Sequence, residues 1–304
     1  MWTSLNNQST IWIRRPHFTT SRPDHRTAVA YTVRAMDTRG VIPSLFGVPR
    51  ALVGVVHTGG LPGTPAGNQG IDEIAAAAVA EARAYASAGF DGIMIENTHD
   101  RPYLKGSVGP EIVAALAVIG HEVRRATTLP LGVQVLAGAN QSAVAVAMAC
   151  GATFVRVEGF VFAHVADEGI IESSAGSLLR YRRAIGADRI RVFADIKKKH
   201  SAHAITADMS LVETAKAAEF FLVDGVIVSG IATGHPADAS EVQSVARAVG
   251  VPTLVGSGVS LSNVHDYRDA HALLVGSSIK HGGVWSGRVD ESQASALARA
   301  FRQR

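Results

Sequence analysis

Ionisable side chains stand at or near the ends of several short apolar segments of this sequence. His57 ends the first segment, Glu96 lies near the end of the second, and Asp195 lies near the end of a later one. Carboxylates and imidazoles transfer protons at reacting centres, and burial beside a lysine tunes a carboxylate for this work. The sequence therefore predicts catalysis by a set of five residues: His57, Glu96, Glu158, Asp195 and Lys197.

Two Gly-Ser pairs occur in the segment LVGSGVSLSNVHDYRDAHALLVGSSIKHGG, residues 254–283. Each pair follows an apolar run, where a glycine either ends a strand or lets the backbone approach an anion closely. Serine hydroxyls add donors, and the run SSIKHGG predicts a helical turn with its positive end towards the anion. The pairs predict a phosphate-binding site of six residues: Gly256, Ser257, Gly258, Gly276, Ser277 and Ser278.

Two other chemistries are open. His200 and His203, in the run HSAH, have a spacing that suits a metal, and a metal-dependent hydrolase would use His200 with His57, Glu96 and Asp195. A divalent metal is therefore an open alternative, and no other cofactor is evident. The lysine of the catalytic set offers a Schiff base with a carbonyl substrate, but the nearby aspartate opposes loss of its proton. The two lysines that follow it, at 198 and 199, are predicted to be loop charges in a solvated run.

The elements that position these residues alternate from Ala51 onward. Strands are predicted at 51–57, 92–97, 131–136, 153–158, 190–196, 225–229, 252–256 and 272–276, and helices at 71–88, 110–126, 140–149, 174–185, 209–222, 239–248, 262–268 and 290–302. Alternation implies parallel strands, and eight units in about 250 residues predict an α/β fold, a single (βα)8 TIM barrel over residues 41–304. A doubly wound sheet is the alternative, but no GxGxxG run follows the first strand.

Alternate residues of a barrel strand face the lumen. This parity predicts that Asp195 and Lys197 of strand five, and Arg156 and Glu158 of strand four, face inward. An Arg156–Glu158 ion pair that only fills a core layer is the alternative to a functional role. Because barrel enzymes bind substrates at the C-terminal ends of their strands, seven residues there are predicted to bind substrate: Asn97, Asp100, Gln134, Arg156, His200, Ser229 and Thr233.

The net charge of +3 comes from residues 1–40, which hold six arginines, no lysine and two aspartates. The remainder is close to neutral, which argues against a nucleic-acid surface. Residues 1–40 are rich in Arg, Ser and Thr, so they are predicted to form a disordered leader or a transit peptide, with Met36 as an alternative start. The protein is expected in the cytoplasm, or in mitochondria if this leader is genuine.

Three further predictions concern membrane spans, disulfides and the oligomeric state. No apolar run approaches the ~18 residues of a membrane span, so no transmembrane segment is predicted. The single cysteine, Cys150, excludes an intrachain disulfide and is expected to be buried on a helix. A homo-oligomer is expected by analogy with other barrels.

From about Leu52 to Phe301 the chain resembles the BtpA/SgcQ family. The matching segments include VGVVHTGGLPGTP, GFDGIMIENTHDRPY, LGVQVLAGAN, FVRVEGFVFAHVADEGIIE, ADIKKKHSAH, SGIATGHPAD and LLVGSSIKHGG. The family is placed among the phosphate-binding TIM barrels, so the resemblance implies this fold and this site. It also implies that the strand-end motifs are functional at His57, Glu96, Asn97, Asp100, Asp195, Lys197, His200 and the Gly-Ser pairs.

The resemblance implies less about the reaction. One family name is attached to photosystem I accumulation in cyanobacteria, and another branch carries the label of a nucleosidase. This chain departs from the family at Ser229, where Thr is common, and at Gln134, where some members have Asn followed by an Arg-Asn-Asp run.

The leading hypothesis is an enzyme that acts on a phosphorylated sugar or nucleotide-like small molecule. Its reaction would be nucleosidase-like cleavage or phosphosugar lyase or isomerase chemistry. The alternatives are a metal-dependent hydrolase and a non-catalytic assembly or stability factor with a role of the photosystem I biogenesis type.

Overall fold

The computed structural model describes residues 40–230 and 235–303. Its centre is a closed barrel of eight parallel strands, in which each strand pairs with its neighbours in chain order and the last pairs with the first. The predicted fold is therefore confirmed. The strands are β1 Ala51–His57, β2 Gly92–Glu96, β3 Leu131–Gln134, β4 Phe154–Val157, β5 Arg191–Asp195, β6 Gly225–Val228, β7 Thr253–Val255 and β8 Ala272–Val275.

Helices connect the strands on the outside of the barrel. Several begin at a polar side chain that accepts hydrogen bonds from the first free N–H groups. Asp238 accepts from Ser240 N, and Asp290 accepts from Ser292 N. The helices are α1 Val41–Phe46, α2 Ile71–Ser87, α3 Pro110–Ala126, α4 Asn140–Cys150, α5 Ala175–Ala184, α6 Leu211–Phe220, α7 Ala239–Ala248 and α8 Glu291–Arg302, with 3₁₀ turns at Ala204–Thr206, Val264–Tyr267, Ser277–Ile279 and His281–Gly283.

Two apolar cores follow from the alternation of the strands. Val155 and Val157 of β4 pack outward in the core shared with the helices, whereas Phe154 packs inside the barrel. Inside, the Phe154 ring lies 5.7 Å from that of Phe193 on β5 and 5.6 Å from that of Phe46 on α1. The helix α1, which the sequence analysis did not predict, thus joins the inner core next to the first strand. Apolar side chains fill that part of the lumen and leave polar ones to the strand ends.

A small antiparallel sheet lies outside the barrel, and it was not predicted either. The segments His164–Ala166 and Gly169–Ile171 form a hairpin after β4, and Ser201–Ala202 after β5 pairs with it. Both loops follow C-terminal strand ends, so this sheet lies at the end where barrel enzymes place their active sites.

Among the described residues, the helices are all too short or too polar to cross a membrane. The predicted leader, apart from Gly40, and the predicted substrate ligand Thr233 lie outside the described residues.

Candidate active site

A cavity opens at the C-terminal ends of the strands. One part, of about 380 Å³, is lined by the loops after β7 and β8. A second part, of about 390 Å³, is lined by residues that follow β2 to β5. We call the two parts together the mouth cavity, because they share five lining residues: His57, Glu96, Arg156, Lys199 and Ser277.

All six residues predicted to bind phosphate line the first part of the mouth cavity. Gly258 has a φ of +67°, and a Cβ atom there would overlap the carbonyl group of His235. A Cβ atom at Gly276 would lie 3.1 Å from Nε2 of His57. The predicted helical turn is the 3₁₀ turn that begins at Ser277, whose hydroxyl has no hydrogen-bond partner among the described residues. These glycines therefore bring backbone close to the cavity.

Replacement of Gly258 by alanine is expected to weaken phosphate-dependent ligand binding at least about tenfold, because the loop must move to accommodate Cβ. Isothermal titration with a ligand that stabilises the wild type measures this. Gly186→Ala is the matched control, since Gly186 has a φ of +70° and no atom near its Cβ position. Equal loss of affinity in both variants would contradict the prediction.

Arg156 and Asp195 form a buried ion pair across β4 and β5. Arg156 Nε donates to Asp195 Oδ2 at 2.8 Å, and Nη2 donates to Oδ1 at 2.9 Å. Ser229 Oγ also donates to Oδ1, at 2.8 Å. Burial alone would lower the pKa of Arg156, but the neighbouring carboxylates, Asp195 first, raise it instead. The alternative, an Arg156–Glu158 ion pair, does not form. Asp195 pairs with Arg156 instead, and this ion pair does not favour the acid–base role predicted for Asp195.

Glu158 is the carboxylate whose environment fits proton transfer. Its side chain lines the mouth cavity, and Lys198 Nζ lies 3.3 Å from its Oε2. Burial, with a smaller contribution from Asp195, raises the pKa of Glu158 from 4.5 to about 7, although Lys198 and Arg156 oppose the shift. A carboxyl group that titrates near neutrality can both donate and accept a proton at working pH.

His57, at the end of β1, is held as a neutral imidazole. Its Nδ1 lies 2.7 Å from the carbonyl oxygen of Trp285, which can only accept, so Nδ1 carries the ring proton. Burial, followed by the positive charge of Lys280, lowers the pKa of His57 from 6.5 to about 4, against the raising effect of Glu96. The unprotonated Nε2 is therefore left to accept a proton or a hydrogen bond.

Glu96 and Gln134 are the other polar side chains that the strands β2 and β3 bring to the cavity. Thr98 Oγ1 donates to Glu96 Oε1 at 3.0 Å, and Gln134 Nε2 donates to Glu158 Oε1 at 3.4 Å. Oε1 of Gln134 is buried and has no hydrogen-bond partner among the described residues. These groups can orient a substrate next to Glu158.

The three consecutive lysines after β5 are arranged differently from the prediction. Lys197 Nζ donates to Met209 O at 3.4 Å and does not line the mouth cavity, so its predicted place in the lumen is wrong. Lys198 is buried beside Glu158 and Glu168, and Lys199 lines both parts of the cavity. Neither is the solvated loop charge that was expected.

Asn97 and Asp100 also lie elsewhere. Asp100 Oδ1 accepts from Leu61 N at 2.6 Å and from Thr64 Oγ1 at 2.7 Å, and Asn97 Oδ1 accepts from Leu136 N at 2.7 Å. They line a separate cavity of about 230 Å³. Their hydrogen bonds connect the loops after β1, β2 and β3 to one another. The position of Asn97 and Asp100 does not support the prediction that they bind substrate.

Two of the remaining predicted ligands differ in position. His200 lines the mouth cavity on a backbone with a φ of +53°, whereas Ser229 reaches Asp195. The sequence analysis missed Trp285, which lies between loops: its ring is 4.6 Å from that of His99, and the Arg101 guanidinium is 4.8 Å from its centre. Only the proximity of Trp285 to the second Gly-Ser pair in the sequence could have suggested it.

A metal site was the alternative that involved His200. Within residues 40–230 and 235–303, no three or more His, Cys, Asp or Glu side chains form a group that could hold a metal ion.

The comparison with known sequences supports the resemblance noted above. The profile of the BtpA family matches residues 48–303. The chain belongs to the BtpA family. Its BtpA relatives include an uncharacterized mitochondrial protein of Caenorhabditis elegans, 43% identical over 84% of this chain and 95% of that protein. The Photosystem I biogenesis protein BtpA of a Synechocystis strain is 33% identical over 84% of this chain and 89% of that protein.

Two solved structures of other proteins share the barrel architecture of this BtpA chain. The thiamine phosphate pyrophosphorylase of Pyrococcus furiosus aligns with a TM-score of 0.53 and 12% identity, over 86% of this chain and 97% of that enzyme. The N-(5'-phosphoribosyl)anthranilate isomerase of the same organism aligns with a TM-score of 0.52 and 12% identity, over 83% and 98%. At this identity the likeness concerns the fold alone.

Proposed function

We propose that this BtpA-family barrel is an enzyme that acts on a phosphorylated sugar or nucleotide-like small molecule. The observation that carries the proposal is the composition of the mouth cavity: the two Gly-Ser loops line one part, the groups suited to proton transfer line the other, and the two parts share five residues. The two solved barrels named above carry phosphorylated compounds in their names, which agrees with this class of ligand.

Each side of the cavity has a distinct role in the proposal. The loops at Gly258 and Ser277 bind the phosphate group through backbone N–H groups and hydroxyls. Glu158, protonated in part near pH 7, transfers protons to the sugar, and the neutral His57 accepts one. Glu96 offers a negative charge for an electron-poor carbon, as cleavage of a glycosidic bond requires. The same groups serve lyase or isomerase chemistry on a phosphosugar, which needs an acid and a base on one substrate.

A thermal-shift series on the full chain tests this function. Phosphosugars and nucleotides are compared with their unphosphorylated counterparts, and a ligand at a hundred times its dissociation constant adds about 2.7 kcal/mol of stability. Stabilisation is expected to require the phosphate and to disappear in Ser277→Asp, which places a negative charge in the phosphate site. Ser292→Asp, on the remote helix α8, is the control. Equal stabilisation by sugars without phosphate would contradict the proposal.

A metal-dependent reaction would need a different ligand set from the one described. Metal analysis of the purified protein, with activity measured before and after chelation, separates the two mechanisms. Full activity of the metal-free protein is the expected result.

An assembly role is the second candidate, and two observations favour it. The Synechocystis relative is named for photosystem I biogenesis. At the end of α6, Phe220 is 76% exposed and Leu222 is 69% exposed, beside a shallow apolar cavity of about 620 Å³. Contiguous exposed apolar surface is typical of an interaction site. If the protein is an assembly factor, Phe220→Ser should lose the assembly activity while Glu158→Gln retains it, and the enzyme proposal expects the reverse. Light scattering of Phe220→Ser shows whether this apolar surface also drives self-association.

For location, the mitochondrial name of the Caenorhabditis elegans relative supports a mitochondrial leader in residues 1–40. Fusion of this segment to a fluorescent protein tests that proposal: import is expected, and a diffuse cytoplasmic signal would contradict it.

A further inference from the structure

The ammonium group of Lys199 differs from those of its neighbours. Lys197 Nζ donates to a backbone oxygen, and Lys198 Nζ lies 3.3 Å from Glu158 and 3.5 Å from Glu168. Lys280 is buried too, but its Nζ donates to both carboxylate oxygens of Glu81, at 3.0 and 3.1 Å. In the described part of the chain, no acceptor lies within hydrogen-bond or ion-pair distance of Lys199 Nζ, although Lys199 lines both parts of the mouth cavity.

The surroundings of Lys199 make its charged form less stable than it is in water. Burial, followed by the positive charge of Arg156, lowers the pKa of Lys199, whereas Glu96, Asp195 and Glu158 oppose the shift. The negative charge of Asp195 is offset by the positive charge of Arg156, with which it forms two hydrogen bonds. A lysine acts as a nucleophile only through its neutral amine, and desolvation beside another cation is a known way to produce it.

We propose that Lys199 Nζ forms an imine with the carbonyl group of a phosphorylated aldehyde or ketone whose phosphate is held by the Gly-Ser loops. The geometry supports this, because Lys199 shares the first part of the cavity with Gly258 and Ser277 and the second part with Glu158. The inference rests on the proposed function and narrows its substrates to phosphosugars with an open-chain carbonyl or to similar compounds.

Imine formation needs an acid for the departing oxygen, and Glu158 in the cavity can supply it. The Nζ lone pair forms a bond to the carbonyl carbon while the C=O π bond breaks, and one Nζ proton moves to the oxygen. Protonated Glu158 then gives its proton to the new hydroxyl, water leaves, and the nitrogen lone pair forms the iminium double bond. Glu158 is left as a carboxylate next to the positive iminium, ready to accept a proton from the adjacent carbon.

Reductive trapping on the full chain tests the imine. Pyridoxal 5′-phosphate serves as a phosphorylated aldehyde probe and pyridoxal as the same aldehyde without phosphate. Sodium borohydride reduces any imine to a stable secondary amine, and peptide mapping assigns it among the six lysines of the sequence. Lys199→Arg keeps a positive charge but forms no imine, and Lys216→Arg, at an exposed position on α6, is the matched control.

The expected result is a phosphate-dependent adduct on Lys199. Labelling should be at least about tenfold slower with pyridoxal, the ratio expected for loss of one charge-assisted contact to phosphate. It should disappear in Lys199→Arg and persist in Lys216→Arg. Labelling that persists in Lys199→Arg, or that ignores the phosphate, would overturn the inference.

A second readout separates this inference from the proposed function. Melting of the wild type and of Lys199→Arg is followed with ribose 5-phosphate and with inorganic phosphate. Phosphate-dependent stabilisation of both proteins without any trapped adduct overturns the imine and leaves the phosphate site standing. Absence of both stabilisation and adduct overturns both.

Discussion

Asp195→Asn is expected to lower the free energy of unfolding by about 3–5 kcal/mol, because it leaves the Arg156 guanidinium buried without a countercharge. The pair is almost inaccessible, with 6% of the Arg156 side chain and 2% of the Asp195 side chain exposed. Urea denaturation, followed by circular dichroism, measures the change as a lower midpoint with an unchanged slope.

Two further variants show whether the buried charge is the cause. Asp188→Asn removes the partner of Arg183 in a pair whose side chains are 80% and 52% exposed, and it should cost less than about 1 kcal/mol. Arg156→Met combined with Asp195→Leu removes both charges and should recover part of the loss. If Asp195→Asn kept wild-type stability but lost activity, Asp195 would belong to the chemistry and our assignment would be wrong.

Glu158→Gln is expected to reduce turnover by about 10²–10⁴-fold, the usual contribution of a general acid or base. It should also change how stability depends on pH. The pKa of Glu158 rises from 4.5 to about 7 on folding, so between these values the folded protein binds a proton that the unfolded chain does not. Stability therefore falls as pH rises through this window, by roughly 3 kcal/mol in total.

Glu158→Gln lacks this titration, so its free energy of unfolding should rise relative to that of the wild type between pH 5 and pH 8. Denaturation midpoints at several pH values measure it, with Glu172→Gln at an exposed position as the control. Parallel pH profiles for wild type and Glu158→Gln would show that Glu158 is not titrating in this window.

The sequence was sufficient for the barrel and for the inner and outer faces of its strands. Strict alternation in β4 separates Val155 and Val157 from Phe154 and Arg156, and each set lies where the period of two predicts. Both Gly-Ser pairs also lie where the sequence predicts, directly after β7 and β8, and they line the mouth cavity.

Beyond a strand end, the same reasoning failed. β5 ends at Asp195, so alternation no longer fixes Lys197, which turns away while Lys199 enters the cavity. β2 ends at Glu96, and Asn97 becomes a tie between loops for the same reason. The sequence also did not predict which ionic groups pair, since Arg156 and Asp195 lie 39 positions apart.

Two elements had no usable signal. The hairpin after β4 has strands of three residues, and its other neighbour comes from the next loop of the barrel. Pairing of such short segments depends on the loops that the barrel brings together rather than on their own pattern. The helix α1 has six residues, too few to show a helical period.

A crystal structure with ribose 5-phosphate at high concentration tests the central claim most directly. The account predicts phosphate oxygens about 2.7–3.1 Å from donors of the loops at Gly258 and Ser277, with the sugar directed towards Glu158 and Lys199. A phosphate bound outside the mouth cavity, or a sugar in the cavity whose phosphate points away from both loops, would contradict it.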